Sequence, residues 1–398
     1  MPKITGNKAP EGFLFSTAEA AIKKPGRKDI ALIISEVEAN IAGVFTTNSV
    51  KAAPVKLCMK KIRSGRGRVI VVNSGNANAC TGTQGTKDAD SIISHIARQL
   101  RTKPSLIYPC STGVIGTPMP TERIIPALAG LTENIGRSSF EDVAQAIMTT
   151  DTFPKTVTKK IRIGNATGTI SGVCKGAGMI APNMATMLCF ILTDIAVEQK
   201  ALNTCLRTAV SKSFNRITID GDMSTNDTVL IMSNGMLGNK PLTGKSEFFQ
   251  LFQKALDGIT YELARLVVQD GEGATKFIEV QVKGARTEAD ATKAALAIAN
   301  SKLLKTSIYG NDANWGRIMA ALGYSGIAFR EELTDIFFNN IKVVKGGLAN
   351  HKDREATEAL KGKNIKITAD IHCGSSSSQV LTCDLTEEYI RINAEYRT

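Results

Sequence analysis

An irregular loop that runs directly into a continuous apolar segment is the feature that most restricts the fold of this chain. Residues 175–186 read KGAGMIAPNMAT, where glycine permits positive φ angles and proline fixes φ, so no regular element is expected there. Residues 187–192, MLCFIL, are an apolar run short enough to be a buried strand. The pattern therefore predicts that Thr186 lies at the mouth of a core strand, directly after the small residue Ala185.

A threonine at that position has a specific chemical use if the peptide bond before it is broken. Cleavage between Ala185 and Thr186 would leave Thr186 with a free α-amine beside its own hydroxyl. An α-amine titrates near neutrality, at about 7.7–8.0, so it can act as the base that activates the hydroxyl. The other interpretation is that threonine simply suits the start of a strand, and the pattern alone leaves both open.

Histidine is scarce in this sequence, which limits the kinds of catalytic site that it can build. The three histidines, His95, His351 and His372, lie far apart and lack the HxxxH spacing of a metal site. The sequence therefore offers few histidines from which to build a Ser-His-Asp triad or a histidine metal centre. The scarcity favours a nucleophile that carries its own base.

Neither the acidic segment nor the cysteines predict a metal site. The segment DGDMSTND at 220–227 resembles a calcium loop superficially, but its glycine is misplaced and the required glutamate at the twelfth position is missing. The eight cysteines show no CxxC motif and no zinc-type spacing, and several, such as Cys189, lie inside apolar runs. We expect no metal, and reduced core thiols as in a cytosolic protein.

The net charge of +12 does not by itself indicate a nucleic-acid partner, because no basic run, zinc pattern or RNA-binding signature accompanies it. Scattered charges such as Lys155, Lys159, Lys160 and Arg162 favour a solvated surface with mild attraction for carboxylate substrates. No stretch reaches the roughly 18 apolar residues of a membrane span, and the start of the chain resembles no targeting leader. We expect a cytoplasmic protein with neither nucleic-acid nor membrane partners.

Hydrophobic periodicity predicts a mixed α/β chain, large enough for two domains or one multilayer unit. Strands are predicted at 30–34, 41–45, 69–72, 106–108, 188–192, 229–232, 277–282, 365–367 and 380–383. Helices are predicted at 92–100, 141–148, 202–214, 246–268 and 287–304. This tally does not choose among α/β arrangements.

The run KGAGMIAPNMATML at 175–188 resembles the cleavage segment of the ornithine acetyltransferase (glutamate N-acetyltransferase) family of arginine biosynthesis, and other matches extend over almost the whole chain. The resemblance implies self-cleavage between Ala185 and Thr186 into an α chain, 1–185, and a β chain, 186–398. It also implies a four-layer αββα sandwich with a smaller C-terminal α/β domain. In that scheme residues 186–283 complete the sandwich and residues 284–398 form the C-terminal domain.

The reaction that the resemblance implies is a ping-pong acetyl transfer. Thr186, assisted by its own α-amine, takes the acetyl group of N-acetylornithine, ornithine leaves, and glutamate accepts the acetyl group. Thr112 and Gly113, in the segment STGVIG, match the family's oxyanion hole; a hydroxyl and an N–H aimed at one point stabilise the charge that develops in acyl transfer. Seen alone, this segment is more often a turn.

The resemblance also implies a set of substrate contacts. They are Thr150, Lys175, Thr186, Glu272, Asn393 and Thr398. Within Thr149-Thr150-Asp151-Thr152 we choose Thr150 as the substrate contact, and its neighbours remain alternatives. The Lys175 ammonium is suited to bind a carboxylate of the substrate. No cofactor is expected, although acetyl-CoA as a second acetyl donor would make the enzyme bifunctional. The family assembles as an α₂β₂ heterotetramer.

Two other functions remain compatible with the residues themselves. One is an N-terminal-nucleophile aminopeptidase or amidase, in which water replaces glutamate as the acceptor. The other is a globular binding protein without catalysis, in which Thr186 is ordinary strand chemistry and no cleavage occurs.

Overall fold

The structure, a computed structural model, describes residues 9–181 and 187–396 and divides into two compact units. Among the described residues, the first unit comprises 9–176, 187–215 and 223–267, and the second comprises 177–181, 216–222 and 268–396. Both units combine helices with a sheet, so the predicted α/β class is confirmed. Within the described part of the chain, no helix is both long enough and apolar enough to cross a membrane.

The first unit is built on one eight-stranded sheet. Its strands are β1 (Phe13–Ala18), β2 (Ile30–Phe45), β3 (Arg66–Asn76), β4 (Ile107–Val114), β5 (Lys155–Ile163), β6 (Ala166–Lys175), β7 (Leu188–Thr193) and β8 (Thr228–Ser233). Seven of them follow the order β4-β3-β2-β8-β7-β6-β5, and β1 pairs with β2 outside this path. Every residue of β7 and β8 is buried, which is why the sequence shows them as continuous apolar runs.

Helices cover the faces of this sheet. They are α1 (Ala53–Lys61), α2 (Gly82–Gln99), α3 (Thr121–Glu133), α4 (Phe140–Ala146), α5 (Gln199–Lys212) and α6 (Phe249–Gln269), the last of which continues into the second unit. Alternate residues of β2 point to opposite faces, so Leu32 packs in a core with α2 and α3 while Ile33 packs in a core with α4.

The second unit has a six-stranded sheet and five helices. Its strands are β9 (Phe277–Ala285), β10 (Asp335–Phe338), β11 (Ile341–Lys345), β12 (Leu348–Ala349), β13 (Asn364–Asp370) and β14 (Ser376–Cys383), in the order β12-β11-β10-β13-β9-β14. Its helices are α7 (Glu288–Ala299), α8 (Lys302–Tyr309), α9 (Trp315–Tyr324), α10 (Asp353–Ala359) and α11 (Glu387–Ala394). Residues of α7 and α9 share one core with the buried residues of β9.

Several predicted elements differ from the structure. The single helix predicted over 287–304 is wrong: it is interrupted between α7 and α8 at Asn300 and Ser301. The Ser301 side chain accepts a hydrogen bond from the Leu304 N–H and so begins a new helix, a capping role that competes with continuing the old one. The strands predicted at 30–34 and 41–45 are one strand, β2, whose pairing with β3 shifts register between Ile34 and Ala39.

Candidate functional site

Three of the predicted site residues, Ala185, Thr186 and Thr398, lie outside the described residues. The other six fall into two clusters, one in each unit. Thr112, Gly113, Thr150 and Lys175 belong to the first unit, and Glu272 and Asn393 belong to the second.

In the first unit, the fold brings Lys175 to Thr112. Lys175 is the last residue of β6 and pairs with Leu188 at the start of β7. Its Nζ donates to Thr112 Oγ1 at 3.4 Å, although the two residues are 63 positions apart in the chain. Both are buried, with 3% and 4% of their surfaces exposed. A cation and a hydroxyl from different strands therefore meet in a largely dry environment.

Residue 113 has to be a glycine because the end of β4 lies very close to the backbone of β3 there. Its φ is 137°, and it lies opposite Gly75 on the parallel neighbour β3. A Cβ at this position would lie 2.2 Å from the carbonyl carbon of Gly75 and 2.4 Å from the backbone nitrogen of Asn76. Any side chain here would clash with the backbone of β3, so the two strands could not keep this spacing.

A buried aspartate that the sequence did not single out organises this cluster. Asp151 accepts hydrogen bonds from Lys155 Nζ at 2.7 Å, from the Gly176 N–H at 2.7 Å and from the Thr149 N–H at 3.0 Å. Its Oδ2 also lies 4.0 Å from Lys175 Nζ. Burial alone would raise the pKa of Asp151, but the two ammonium groups hold it well below its usual range.

The prediction that Lys155 belongs to a solvated surface is wrong. The Lys155 and Asp151 side chains are both fully buried and form an ion pair within the fold. The four-residue spacing of Asp151 and Lys155 was the available signal, but it does not distinguish a buried pair from an exposed one. Among the residues that the structure describes, no contact selects Thr150 over its neighbours, so that choice stays a prediction.

A second buried carboxyl group lies beside the residue that follows Thr186. Asp227 Oδ1 accepts a hydrogen bond from the Met187 N–H at 3.0 Å. Asp227 is fully buried, and its Oδ2 has no hydrogen-bond partner within residues 9–181 and 187–396. Burial raises its pKa well above the usual range. Asp227 thus has the opposite pKa shift to Asp151, because two ammonium groups offset burial at Asp151 and burial dominates at Asp227.

In the second unit, the fold brings Glu272 to Asn393. Asn393 Nδ2, on α11, donates to Glu272 Oε2 at 2.8 Å across 121 residues of chain. The Glu272 N–H donates to the Ala177 carbonyl at 2.8 Å. A Cβ at Gly178 would lie 2.4 Å from both carboxylate oxygens of Glu272, so glycine is what allows the carboxylate to approach this segment. Glu272 and Asn393, predicted from separate motifs, thus form one polar pair.

Asp220 ties two other segments of the second unit together. Its carboxylate accepts hydrogen bonds from the N–H groups of Met179 and Ile180, at 2.6 and 2.9 Å, and from the Tyr389 hydroxyl at 3.2 Å. Burial raises the pKa of Asp220. The acidic segment thus supplies acceptors for backbone and side-chain donors. Over the described residues, no group of three His, Cys, Asp or Glu side chains is placed to hold a metal ion.

Comparison with known proteins identifies a matching family and several similar proteins. The ArgJ family model matches residues 14–398. The arginine biosynthesis bifunctional protein ArgJ of Geobacter sulfurreducens is 51% identical over 390 residues, which cover 98% of this chain and 99% of that protein. The crystal structure of the Bacillus halodurans protein of the same name is 42% identical, covers 52% of this chain and 97% of its own, and has a TM-score of 0.50. Ornithine acetyltransferase of Mycobacterium tuberculosis, crystallised with ornithine, is 36% identical over 44% of this chain and 93% of its own, with a TM-score of 0.40.

Proposed function

The chain belongs to the ArgJ family, and we propose that it carries out acetyl transfer through a covalent intermediate on Thr186. The reaction is an acetyl transfer of arginine biosynthesis, from N-acetylornithine to glutamate. The contact between Lys175 and Thr112 carries the proposal, because it places a buried hydroxyl and its neighbouring cation at the mouth of β7. Groups of this kind stabilise the oxyanion of an acyl transfer.

The first step is cleavage of the chain between Ala185 and Thr186, which frees the Thr186 α-amine. The position of Thr186, after the small residue Ala185 and just before the fully buried strand β7, supports this step. The fragments here would be residues 1–185 and 186–398.

In the acetylation half-reaction, the Thr186 α-amine accepts the hydroxyl proton while Oγ attacks the acetyl carbonyl of N-acetylornithine. The amide C–N bond then breaks, and the proton passes to the departing nitrogen of ornithine. In the second half-reaction, the amine of glutamate attacks the acetyl ester and Thr186 Oγ regains its proton. The Thr112 hydroxyl and the Gly113 N–H hold the oxyanion in both halves.

For the substrate contacts we propose Thr150, Lys175, Glu272, Asn393 and Thr398, together with Thr186 itself. Acetyl-CoA is proposed as a second acetyl donor to the same threonine, in keeping with the word bifunctional in the relatives' name. We further propose a cytoplasmic enzyme in which the cleaved chains assemble as an α₂β₂ heterotetramer. No other cofactor enters this scheme.

Glu272→Gln is expected to raise the KM for N-acetylornithine about ten- to a hundredfold and to change kcat less. The substitution keeps an oxygen that can accept from Asn393 Nδ2 but removes the charge that would bind an ammonium group of the substrate. A hydrogen bond to a charged group contributes about 1.5–3 kcal/mol, which gives that range. Steady-state kinetics would measure it, with Glu279→Gln, at a carboxylate on β9 that pairs with Lys366, as the control. A kcat loss without any change in KM would contradict a binding role.

Assays with and without glutamate test the proposed function and separate it from an aminopeptidase or amidase. With N-acetylornithine and glutamate, the account predicts equal amounts of ornithine and N-acetylglutamate. Without glutamate, ornithine release is expected to stop after about one equivalent per active site, since the acyl-enzyme then waits for its acceptor. Continuous release of ornithine and acetate without glutamate would instead identify a hydrolase.

A further inference from the structure

The partners of Lys175 restrict what its ammonium group can do. An ammonium has three donors and no acceptor, whereas a threonine hydroxyl has one proton and can accept at the same oxygen. In the contact of 3.4 Å, Lys175 Nζ is therefore the donor and Thr112 Oγ1 the acceptor. Within the described residues no acceptor takes the Thr112 hydroxyl proton, so the contact leaves that proton available for another acceptor.

Asp151 holds this ammonium in position and leaves its hydrogen bond to Thr112 in place. One carboxylate oxygen of Asp151, Oδ1, accepts from Lys155 Nζ and from the Gly176 N–H, both at 2.7 Å. The other, Oδ2, accepts from the Thr149 N–H at 3.0 Å and lies 4.0 Å from Lys175 Nζ. The carboxylate thus neutralises the Lys175 charge from one side, while the shorter contact of Lys175 is the one to Thr112.

We propose that Lys175 acts on acetyl transfer through Thr112, as a positioning residue that turns the hydroxyl proton of Thr112 toward the oxyanion. A cation that donates to a hydroxyl oxygen also makes the O–H a stronger donor, because hydrogen bonds in a chain polarise one another. The inference rests on the proposed function of Thr112 and deepens it. It assigns Lys175 a role that does not require any carboxylate on the substrate.

A donor without a carboxylate or an amine separates this role from direct substrate binding. p-Nitrophenyl acetate carries only the acetyl group and a chromophore, and its burst reports acetylation of the cleaved enzyme. We expect Lys175→Met to slow acetylation about ten- to a hundredfold with both p-nitrophenyl acetate and N-acetylornithine, less than the roughly 10²–10³-fold loss on removing an oxyanion donor outright, because the Thr112 hydroxyl is still present. Thr112→Ser should retain most of the rate, since it keeps the hydroxyl.

A double-mutant cycle tests the dependence on Thr112. Thr112→Val removes the hydroxyl, and in that background Lys175→Met is expected to add less than about a threefold further loss, because the group it acts through is already gone. Each variant is compared only as its cleaved form, quantified by intact mass, so that incomplete maturation does not enter the rates. In the Thr112→Ser background, Lys175→Met should slow acetylation nearly as much as it does in the wild type, because the hydroxyl is still present. This comparison tests the dependence on the hydroxyl even if the Thr112→Val variant folds poorly.

The outcomes separate the inference from the function on which it rests. Losses from Lys175→Met and Thr112→Val that multiply in the double variant would overturn the inference, as would an unchanged burst of p-nitrophenyl acetate in Lys175→Met. In the second case the role of Lys175 would be limited to the substrate contact that the proposed function assigns to it. A wild-type protein that never acquires an acetyl group on its 186–398 fragment would overturn the proposed function itself.

Discussion

Thr186→Ala is expected to remain one intact polypeptide of 42.6 kDa and to lose acetyl transfer altogether. Alanine has no hydroxyl to attack the preceding carbonyl, so the bond between residues 185 and 186 stays closed and no α-amine is released. The same missing hydroxyl removes the acceptor of the acetyl group. One substitution should therefore abolish two separately measurable events, chain cleavage and transferase activity.

Intact mass spectrometry and a transfer assay on the same preparation measure the two events. Thr186→Ser is the matched control, because it restores a hydroxyl and should cleave and transfer, at reduced rates. The account would be contradicted by a Thr186→Ala chain that is still cut between residues 185 and 186, or by an uncut one that transfers acetyl groups at the wild-type rate.

Asp151→Ala is expected to lower the free energy of unfolding by about 3–5 kcal/mol, the cost of removing one partner from a buried charge cluster. Lys155 and Lys175 would then be buried ammonium groups without a carboxylate between them, and the N–H groups of Thr149 and Gly176 would lose their acceptor. Asp257→Ala provides the control, because its pair with Lys212 is partly exposed and should contribute about 0–1 kcal/mol.

Urea and thermal unfolding of both variants would measure the difference. A loss from Asp151→Ala no larger than that from Asp257→Ala would contradict the buried-cluster account.

The stabilisation by Asp151 also has a predicted pH dependence. The pKa of Asp151 is lower in the folded protein than in the unfolded chain, where it is near 3.9, so its contribution is full above that pH and disappears as the pH falls through the folded value. The gap between wild type and Asp151→Ala should narrow in acid.

Strong local patterns allowed much of the fold to be predicted. The apolar runs that became β7 and β8 are buried along their whole length, and Ile92, Ile93, Ile96 and Ala97, in the helix predicted at 92–100, lie buried on one face of α2. The break between α7 and α8 was missed because Ser301 suits either a helix interior or a cap, and its hydrogen bond to Leu304 decides which.

Only the site residues that lie in motifs matching the family could be predicted from the sequence. The resemblance named Thr112, Lys175, Glu272 and Asn393, and the fold places them in two contacting pairs. The supporting carboxylates of Asp151 and Asp227 were not given a role in the site, because their importance depends on burial and on partners far away in the chain. A sequence shows that an aspartate is present but not that water is excluded from it.

The measurement that most directly tests the central claim is the mass of the 186–398 fragment after brief exposure to N-acetylornithine without glutamate. The account predicts that this fragment gains the mass of one acetyl group, located on the peptide that begins at Thr186, and that added glutamate removes it. A cleaved protein that turns over N-acetylornithine and glutamate without ever carrying that acetyl group would contradict a covalent mechanism on Thr186.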